Sequence, residues 1–261
     1  MTKTKKADVP YIPNRFKGDV ALVAGGAQGI GKAIATRLAL EGARVVIADI
    51  DRAALSKTER EISAQGGDVR VAVCDLSKRP QVKRVVAKVR ASHKKIDVVM
   101  HVAGIADSVP FLDCGEKVWD RHLDLNLKGA YLLAQAVLPG MVKRRSGRLV
   151  FMSSTNSWDA EAELAHYNVS KAGVFLLAKT LAREFGPFGI RSNAIGPGFI
   201  RTRLTEPLFA HPEYITRYQS FIPLGRFGLP EDIAGPATFL ASHDADYVNG
   251  VLLFIDGGRL A

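Results

Sequence analysis

The sequence predicts an α/β fold in which one doubly wound parallel sheet carries helices on both faces, within a single domain. Short apolar runs alternate with segments of helical periodicity, each of roughly 10–15 residues, along almost the whole chain. A glycine-rich turn follows the first apolar run, and 261 residues of which 47% are hydrophobic suit one sizeable core. Strands that alternate with helices are joined by crossover connections, which make the strands parallel and cover both faces of the sheet.

The first half of the chain opens with a segment that lacks periodicity. Residues 1–17 are rich in lysine and contain Pro10 and Pro13, so we expect a flexible leader before a domain of residues 18–261. Gly42 and the pair Gly66-Gly67 end the first two helical patterns. The predicted elements are strand Val20–Val23, helix Ile30–Leu40, strand Arg44–Ala48, helix Ala53–Gln65, strand Val69–Val73, helix Val82–Val89 and strand Asp97–Val102.

The second half continues the alternation with two longer helices. Its predicted elements are helix Trp119–Met141, strand Leu149–Met152, helix Tyr167–Phe185, strand Ile190–Ile195, helix Glu231–Ala241 and strand Leu252–Ile255. Residues 201–226 join the sixth strand to the last helix, carry three prolines and show a patchy helical pattern. A connection of this kind is typical of a mobile lid over a substrate.

Composition and charge argue against several functional classes. No apolar stretch approaches the roughly 20 residues of a membrane span, and the start of the chain lacks the apolar run of a secretory signal, so we expect a cytoplasmic protein without membrane contact. Cys74 and Cys114 form no Cys-x-x-Cys pattern, which argues against a disulfide framework and against a metal site. The net charge of +10 comes from segments without interleaved aromatic residues, so we expect no nucleic-acid partner, while attraction to acidic substrates or carriers stays open.

The turn after the first strand has the composition of a nucleotide-binding loop. It reads Gly25-Gly26-Ala27-Gln28-Gly29-Ile30-Gly31 and leads directly into the first helix, whose free N–H groups can bind a pyrophosphate. Asp49 ends the second strand, where a carboxylate can accept hydrogen bonds from ribose hydroxyls and would repel a 2′-phosphate. NAD(H) is therefore favoured over NADP(H), although Arg52 lies nearby. Asp75 follows the third strand and either contacts the adenine or caps the next helix.

A tyrosine and a lysine share one face of a predicted helix at the other end of this site. Tyr167 and Lys171 are spaced i and i+4 in a helical pattern, and Ser154 lies just past a strand end. A phenol is a poor base at neutral pH, so we expect the Lys171 ammonium, together with the positive nicotinamide ring, to lower the pKa of Tyr167. The Ser154 hydroxyl can then hydrogen-bond a substrate oxygen.

These motifs resemble those of the short-chain dehydrogenase/reductase family in its single-domain form, and the resemblance runs from about Gly18 to Gly258. The glycine turn matches the family's cofactor loop, Ser154 with Tyr167-x-x-x-Lys171 matches its active-site signature, and Asn126 matches its fourth catalytic position. Pro197-Gly198 with Ile200 and Thr202 resembles the segment that holds the nicotinamide, and Asp256-Gly257-Gly258 resembles the usual terminus. The resemblance implies a Rossmann-type sheet and an NAD(H)-dependent oxidoreductase acting on CH–OH groups without a metal.

The resemblance also implies roles for individual residues. Tyr167 exchanges the hydroxyl proton, Lys171 lowers its pKa and binds the nicotinamide ribose, Ser154 orients the substrate oxygen, and Asn126 holds a water that links Lys171 to solvent. The cofactor contacts expected are Gly25, Gln28, Gly29, Ile30, Gly31, Asp49, Asp75, Leu76, Ala103, Gly104, Tyr167, Lys171, Pro197, Gly198, Ile200 and Thr202. Two departures from the family pattern are Ala24 in place of Thr and His101-Val102 in place of Asn-Asn.

The substrate is less well determined than the reaction. Side chains expected to face it are Ser154, Tyr167, Trp158, His166, Phe199 and Leu204, together with Phe209. The leading hypothesis is a dehydrogenase of a small secondary alcohol or ketone such as a sugar or polyol. The alternatives are a 3-oxoacyl-thioester reductase acting on an acyl carrier protein, and a non-catalytic nucleotide-binding scaffold. The family's usual assembly implies a homotetramer, or alternatively a homodimer, with the two long helices at the interface.

Overall fold

A computed structural model describes residues 11–261, apart from the side chain of Leu208. Across these residues the strands form a seven-stranded sheet in the order β3-β2-β1-β4-β5-β6-β7, and every neighbouring pair is parallel. The strands are β1 Val20–Ala24, β2 Arg44–Asp49, β3 Val69–Val73, β4 Val98–His101, β5 Gly147–Met152, β6 Ile190–Pro197 and β7 Leu252–Ile255. The predicted doubly wound fold is confirmed. The strand order reverses between β1 and β4, and a crevice at such a point is where parallel sheets bind ligands.

Helices cover both faces of this sheet. They are α1 Gly29–Leu40, α2 Arg52–Ser63, α3 Arg79–His93, α4 Glu116–His122, α5 Gly129–Arg144, α6 Ala165–Phe185, α7 Pro212–Ser220 and α8 Pro230–Ala241. Along β1, Leu22 packs into a core shared with α3, α5 and α6, whereas Val23 packs into a second core shared with α1, α2 and α8. Because successive side chains of a strand alternate between faces, a strand covered on both sides is apolar throughout, as the sequence predicted.

The long helix predicted over Trp119–Met141 is interrupted. A π-helical segment, Leu123–Lys128, separates α4 from α5, and in such a segment each hydrogen bond spans one residue more than in an α-helix. The apolar periodicity predicted one continuous helix but could not show the wider π-helical turn within it. π-turns are frequently found at functional sites, and this one carries Asn126.

The predicted leader is wrong from residue 11 onward. Phe16 is fully buried in the core beneath α1 and α8, and its amide donates to the carbonyl oxygen of Glu41 at 2.9 Å. Arg15 pairs with the buried carboxylate of Glu41 at 2.8 Å and donates to the Thr238 hydroxyl at 2.8 Å. One aromatic side chain and one guanidinium are enough to fix a segment that has no periodicity. Residues 1–10 of the predicted leader lie outside the described residues.

The predicted lid contains some regular structure. A 3-10 helix at Glu206–Ala210 precedes α7, and the chain then returns to α8 through a turn at residues 221–229. Within the part of the chain that the structure describes, no helix combines the length and the apolar character that a membrane span requires.

Candidate active site

A cavity of about 430 Å³ opens at the carboxyl ends of the strands, where the strand order reverses. The glycine turn, the ends of β2 to β6, the start of α6 and the first residues of the lid form its walls. Every residue expected from the sequence to contact the cofactor lies in these walls, as do Ser154 and Leu204. These residues are spread over about 180 positions of the chain, from Gly25 to Thr205. The parallel sheet brings them together because the loops that follow its strands all lie at the carboxyl edge.

The glycine turn leaves no room for side chains. A β-carbon on Gly25 would lie 2.4 Å from the amide nitrogen of Ala103, and one on Gly31 would lie 2.0 Å from the carbonyl oxygen of Gly25. Gly25 also has a φ of 85°, which L-residues with side chains rarely adopt. The helix α1 that follows has no side-chain cap on its first turn, so its N–H groups remain available to an anion. A close backbone approach beside an uncapped helix fits the pyrophosphate of a dinucleotide.

Two aspartates stand at the ends of β2 and β3. Asp49 accepts hydrogen bonds from the backbone N–H of Ala27 at 3.1 Å and of Asp51 at 3.2 Å, so its carboxylate also braces the glycine turn. Asp75 accepts from the N–H of Ser77 at 2.9 Å and from its hydroxyl at 2.7 Å. The Asp75 contacts are those of a local turn cap, and both carboxylates still line the cavity.

Tyr167 and Lys171 lie on the cavity side of α6. The Lys171 Nζ is 5.6 Å from the centroid of the Tyr167 ring and donates to the carbonyl oxygen of Met152 at 2.9 Å. Burial lowers the pKa of Lys171 to about 8, because the charged ammonium loses its hydration. Burial also raises the pKa of Tyr167, a hydrogen bond from Ser154 opposes the rise, and the charge of Glu161 adds to it.

Without a bound cofactor the pKa of Tyr167 is raised rather than lowered. The expected lowering by Lys171 together with the nicotinamide ring stays a prediction. Burial disfavours the charged form of both groups and is the largest cause of both pKa shifts. The phenol consequently holds its proton over the neutral range. Lys171, with a pKa of about 8, still carries its proton at pH 7.

Ser154 is held by a hydrogen-bonded network that the sequence did not reveal. Its Oγ accepts from the backbone N–H of Asn156 at 3.1 Å and lies 3.4 Å from the Asn156 Oδ1. The Asn156 Nδ2 donates to the Asn168 Oδ1 at 3.1 Å, and the Asn168 Nδ2 donates to the carbonyl oxygen of Glu161 at 2.9 Å. The network fixes the direction in which Ser154 presents its hydroxyl. In the sequence, the only sign of this network was the presence of Asn156, two residues after Ser154, and Asn168, one residue after Tyr167.

Asn126 lies behind the cavity wall rather than in it. Its Oδ1 accepts from the N–H of Ile105 at 2.9 Å, and its Nδ2 donates to the carbonyl oxygen of Ile105 and the Ser170 hydroxyl, both at 3.0 Å. A β-carbon on Gly104 would lie 3.0 Å from the Lys171 Nζ and 3.1 Å from the Asn126 Oδ1. The carboxamide and the ammonium therefore border the same small space beside Gly104.

Comparison with known proteins agrees with this geometry. Residues 25–259 match a family model described as enoyl-(acyl carrier protein) reductase. The 3-oxoacyl-[acyl-carrier-protein] reductase FabG of Thermotoga maritima is 40% identical over 245 residues, which are 94% of this chain and 98% of the relative. The chain belongs to the short-chain dehydrogenase/reductase family.

Other members of the family differ in substrate. A 2-dehydro-3-deoxy-D-gluconate 5-dehydrogenase of Pseudoalteromonas atlantica is 36% identical over 244 residues, covering 93% of this chain and 96% of the relative. A solved structure from Beutenbergia cavernae, provisionally assigned as an NAD(P)-dependent gluconate 5-dehydrogenase, has a TM-score of 0.91 and 34% identity, covers 95% of this chain and 99% of its own, and holds NADP at low occupancy. The chain is thus an oxidoreductase that acts on CH–OH groups with a nicotinamide dinucleotide.

The two departures from the family pattern have different structural consequences. The carbonyl oxygen of Ala24 accepts from the N–H groups of Val102 at 2.8 Å and Ala103 at 3.0 Å, so backbone contacts brace the loop without a threonine hydroxyl. His101 is fully buried, and neither of its ring nitrogens has a hydrogen-bond partner among residues 11–261. Burial, with a smaller contribution from Lys171, lowers the pKa of His101 to about 3, so the ring is neutral.

Four of the predicted substrate contacts lie outside the cavity. Trp158 is 75% exposed, and Phe199 packs against Tyr218 with 4.3 Å between ring centroids. His166 is fully buried and hydrogen-bonds to the carbonyl oxygen of Asp107 at 2.9 Å. Because α6 turns by about 100° per residue, a position directly before Tyr167 cannot face the same side as Tyr167. Phe209, expected to face the substrate, instead lines a small apolar pocket with Phe199.

The cavity also contains residues that the sequence did not single out. Several follow directly from neighbours that were predicted, such as Ser153 before Ser154 and Ile105 after Gly104. Others come from apolar strand ends whose position only the sheet reveals. The additional wall residues are Ile50, Cys74, Val102, Ile105, Leu125, Met152, Ser153, Arg203 and Thr205.

Proposed function

We propose that this chain is an NAD(H)-dependent dehydrogenase that interconverts a secondary alcohol and a ketone on a small hydroxylated molecule such as a sugar or polyol. The observation that carries the proposal is that Ser154, Tyr167 and Lys171 line the same cavity as the glycine turn. A scaffold that only binds nucleotide does not require a phenol, a hydroxyl and an ammonium at the same opening.

The glycine turn and the first turn of α1 would hold the pyrophosphate of the cofactor. When bound, the nicotinamide ring supplies the hydride donor or acceptor, and this requires no metal. Asp49 lines the adenosine end, where its carboxylate would accept from ribose hydroxyls and repel a 2′-phosphate. This charge favours NAD(H), whereas the NADP in the Beutenbergia cavernae structure shows that a relative admits the phosphorylated form.

Tyr167 is the proposed proton donor and acceptor. Its raised pKa keeps the phenol protonated at neutral pH, which suits donation to a ketone oxygen. Ser154 would hold that oxygen by a hydrogen bond, in the orientation that Asn156 imposes. In the oxidative direction the phenol must first lose its proton, and Lys171, with a pKa of about 8, would exchange protons beside it. Asn126, adjoining the same space beside Gly104, would hold a water for this exchange.

A second candidate function is reduction of a 3-oxoacyl thioester on an acyl carrier protein. The 40% identity to FabG and the net charge of +10, which would attract an acidic carrier, favour it. Asp49 opposes it, because reductive biosynthesis commonly uses NADPH. The homotetramer implied by the family resemblance and the cytoplasmic location stay predictions.

The deciding experiment is a titration of the purified protein with NADH and NADPH, followed by turnover assays. The substrates are a panel of polyols, sugars and β-hydroxyacyl thioesters. We expect NADH to bind more tightly than NADPH and a polyol or sugar to be oxidised. In Asp49→Ala the loss of the ribose contact should weaken NADH binding about tenfold and reduce the discrimination against NADPH.

The outcomes separate the candidate functions. Preference for NADPH with reduction of a 3-oxoacyl thioester would replace the first function by the second. An unchanged cofactor preference in Asp49→Ala would show that Asp49 does not contact the ribose. Absence of binding to either cofactor would contradict both enzyme hypotheses.

A further inference from the structure

A partly buried polar cluster lies beside the catalytic residues and joins three distant parts of the chain. Arg259, near the end of the chain, places its Nη2 at 3.2 Å from the Glu161 Oε1 and 3.1 Å from the Asp159 Oδ2. Its guanidinium carbon lies 5.4 Å from the centroid of the Phe199 ring, which in turn packs on Tyr218 of α7. The loop after β5, the lid helix and the C-terminal turn therefore meet at one place.

This cluster adjoins the substrate end of the cavity. Glu161 hydrogen-bonds with the side chain of Asn156, which also contacts Ser154. Glu161 is also close enough to Tyr167 for its charge to raise the pKa of the phenol. Phe199 lies between Gly198 and Ile200, both of which line the cavity. A continuous chain of polar contacts thus leads from the catalytic hydroxyls to Arg259.

The cluster contains one donor without an acceptor. The Arg259 side chain is only 9% exposed, and its Nη1 has no hydrogen-bond partner among residues 11–261. A buried donor without a partner is unfavourable, and native proteins rarely keep one unless a ligand or water completes it. Glu161 has a side chain that is 23% exposed, so its carboxylate remains accessible beside that donor.

The local charges argue for a neutral ligand. Arg259 faces the carboxylates of Asp159 and Glu161, and Arg217 of the lid acts on Glu161 as a second cation. The two positive and two negative charges therefore cancel. A substrate carboxylate or phosphate would gain no net attraction there. A carboxylate acceptor beside a guanidinium donor matches two adjacent hydroxyl groups, each of which both donates and accepts a hydrogen bond. A plain alkyl chain would leave both protein groups unpaired.

We propose that Glu161 and Arg259 form a diol-binding subsite that recognises neighbouring hydroxyl groups of the substrate beyond the reacting carbon. This inference rests on the proposed dehydrogenase function and narrows its substrate to molecules with contiguous hydroxyls. It assigns Glu161 as the acceptor and the Arg259 Nη1 as the donor.

The test compares matched alcohols. Xylitol, ribitol and meso-erythritol carry contiguous hydroxyls, whereas 2-pentanol is a secondary alcohol without them. In the wild type we expect kcat/KM for a polyol to exceed that for 2-pentanol by at least about 100-fold, since unpaired polar groups reject an analogue that lacks the hydroxyls. Glu161→Gln should raise KM for the polyol about 10- to 100-fold and leave KM for 2-pentanol within about twofold. Any change in kcat caused by the lost charge near Tyr167 should be the same for both substrates.

Two further variants separate recognition from structure. Arg259→Lys keeps a cation beside the two carboxylates but removes the forked donor, so we expect the same selective loss for polyols. Asp159→Asn is the matched control, because Asp159 is the other partner of Arg259 but is 55% exposed, and it should leave polyol KM within about twofold. Circular dichroism and NADH affinity verify that each variant is folded.

Direct binding keeps this inference distinct from the proposed reaction. The polyols are titrated into the protein–NADH complex by calorimetry. Polyol binding that Glu161→Gln weakens, without any alcohol oxidation, would support the subsite and contradict the dehydrogenase function. If no polyol binds the complex, or if Glu161→Gln raises KM equally for polyols and 2-pentanol, the diol subsite is refuted.

Discussion

Replacing Lys171 by methionine should stabilise the protein while abolishing its activity. Burial lowers the pKa of Lys171 from 10.5 to about 8, so at pH 7 the folded state carries an ammonium that is harder to protonate than in the unfolded chain. At about 1.4 kcal/mol per pKa unit, this difference costs about 3 kcal/mol of folding free energy. Methionine fills a similar volume without charge, and it leaves the Met152 carbonyl oxygen without its donor, which costs about 1 kcal/mol. The expected gain at pH 7 is about 2 kcal/mol.

The dependence of this gain on pH is the sharper test. Between pH 8 and 10.5 the unfolded wild-type chain binds more protons than the folded state, so wild-type stability rises with pH over that interval. Lys171→Met lacks this contribution, so its advantage should shrink above pH 8 and reverse as pH approaches 10.5, where only the lost hydrogen bond remains. Urea unfolding of both cofactor-free proteins from pH 7 to 10 measures the difference. A variant that is less stable at pH 7, or a difference that stays constant with pH, would refute the assignment of a buried, destabilised ammonium.

Three other substitutions test separate parts of the structure. Tyr167→Phe should reduce turnover by at least about 1000-fold with NADH affinity unchanged within about threefold, because it removes a proton and no cofactor-binding charge; appreciable residual turnover would exclude Tyr167 as the proton carrier. Gly31→Ala should abolish NADH binding in a fluorescence titration, because the new β-carbon would meet the Gly25 carbonyl oxygen at 2.0 Å, and wild-type affinity would show that the turn is not the pyrophosphate site. Phe16→Ala should lower the free energy of unfolding in urea by about 3–5 kcal/mol. A loss below about 1 kcal/mol would show that this segment is flexible, as the sequence predicted.

The fold could be predicted from the sequence because its signal is local. A strand covered on both faces is an apolar run, and a helix between two such runs has its own period, so Val69–Val73 and Leu252–Ile255 were located to the residue. The segment around Phe16 could not be assigned in this way. Its partners Glu41 and Thr238 are 26 and 223 positions from Arg15, and no pattern within the segment records them. Contacts of single side chains with distant residues produce no periodic pattern in the sequence, so they cannot be predicted from it.

The site could be predicted to the extent that it consists of short motifs. The glycine turn, Asp49 and the pair Tyr167 and Lys171 are defined by spacing along the chain, and all of them line the cavity. The direction of the pKa shift of Tyr167 could not be predicted, because burial is its largest cause and burial is a property of the folded chain. The pairing of Glu161 with Arg259 across 98 positions was equally invisible.

The π-helical segment between α4 and α5 makes this part of the molecule sensitive to chain length rather than to residue type. Removing one residue from Leu123–Lys128 would let the two helices continue as one regular α-helix, turning α4 by about 100° relative to α5. His122 would leave its contact with His166, whose ring centroid is now 4.1 Å away, and Asn126 would leave its pocket, while the sheet and the glycine turn kept their contacts. We therefore expect a one-residue deletion in this segment to abolish turnover while the glycine turn still binds NADH.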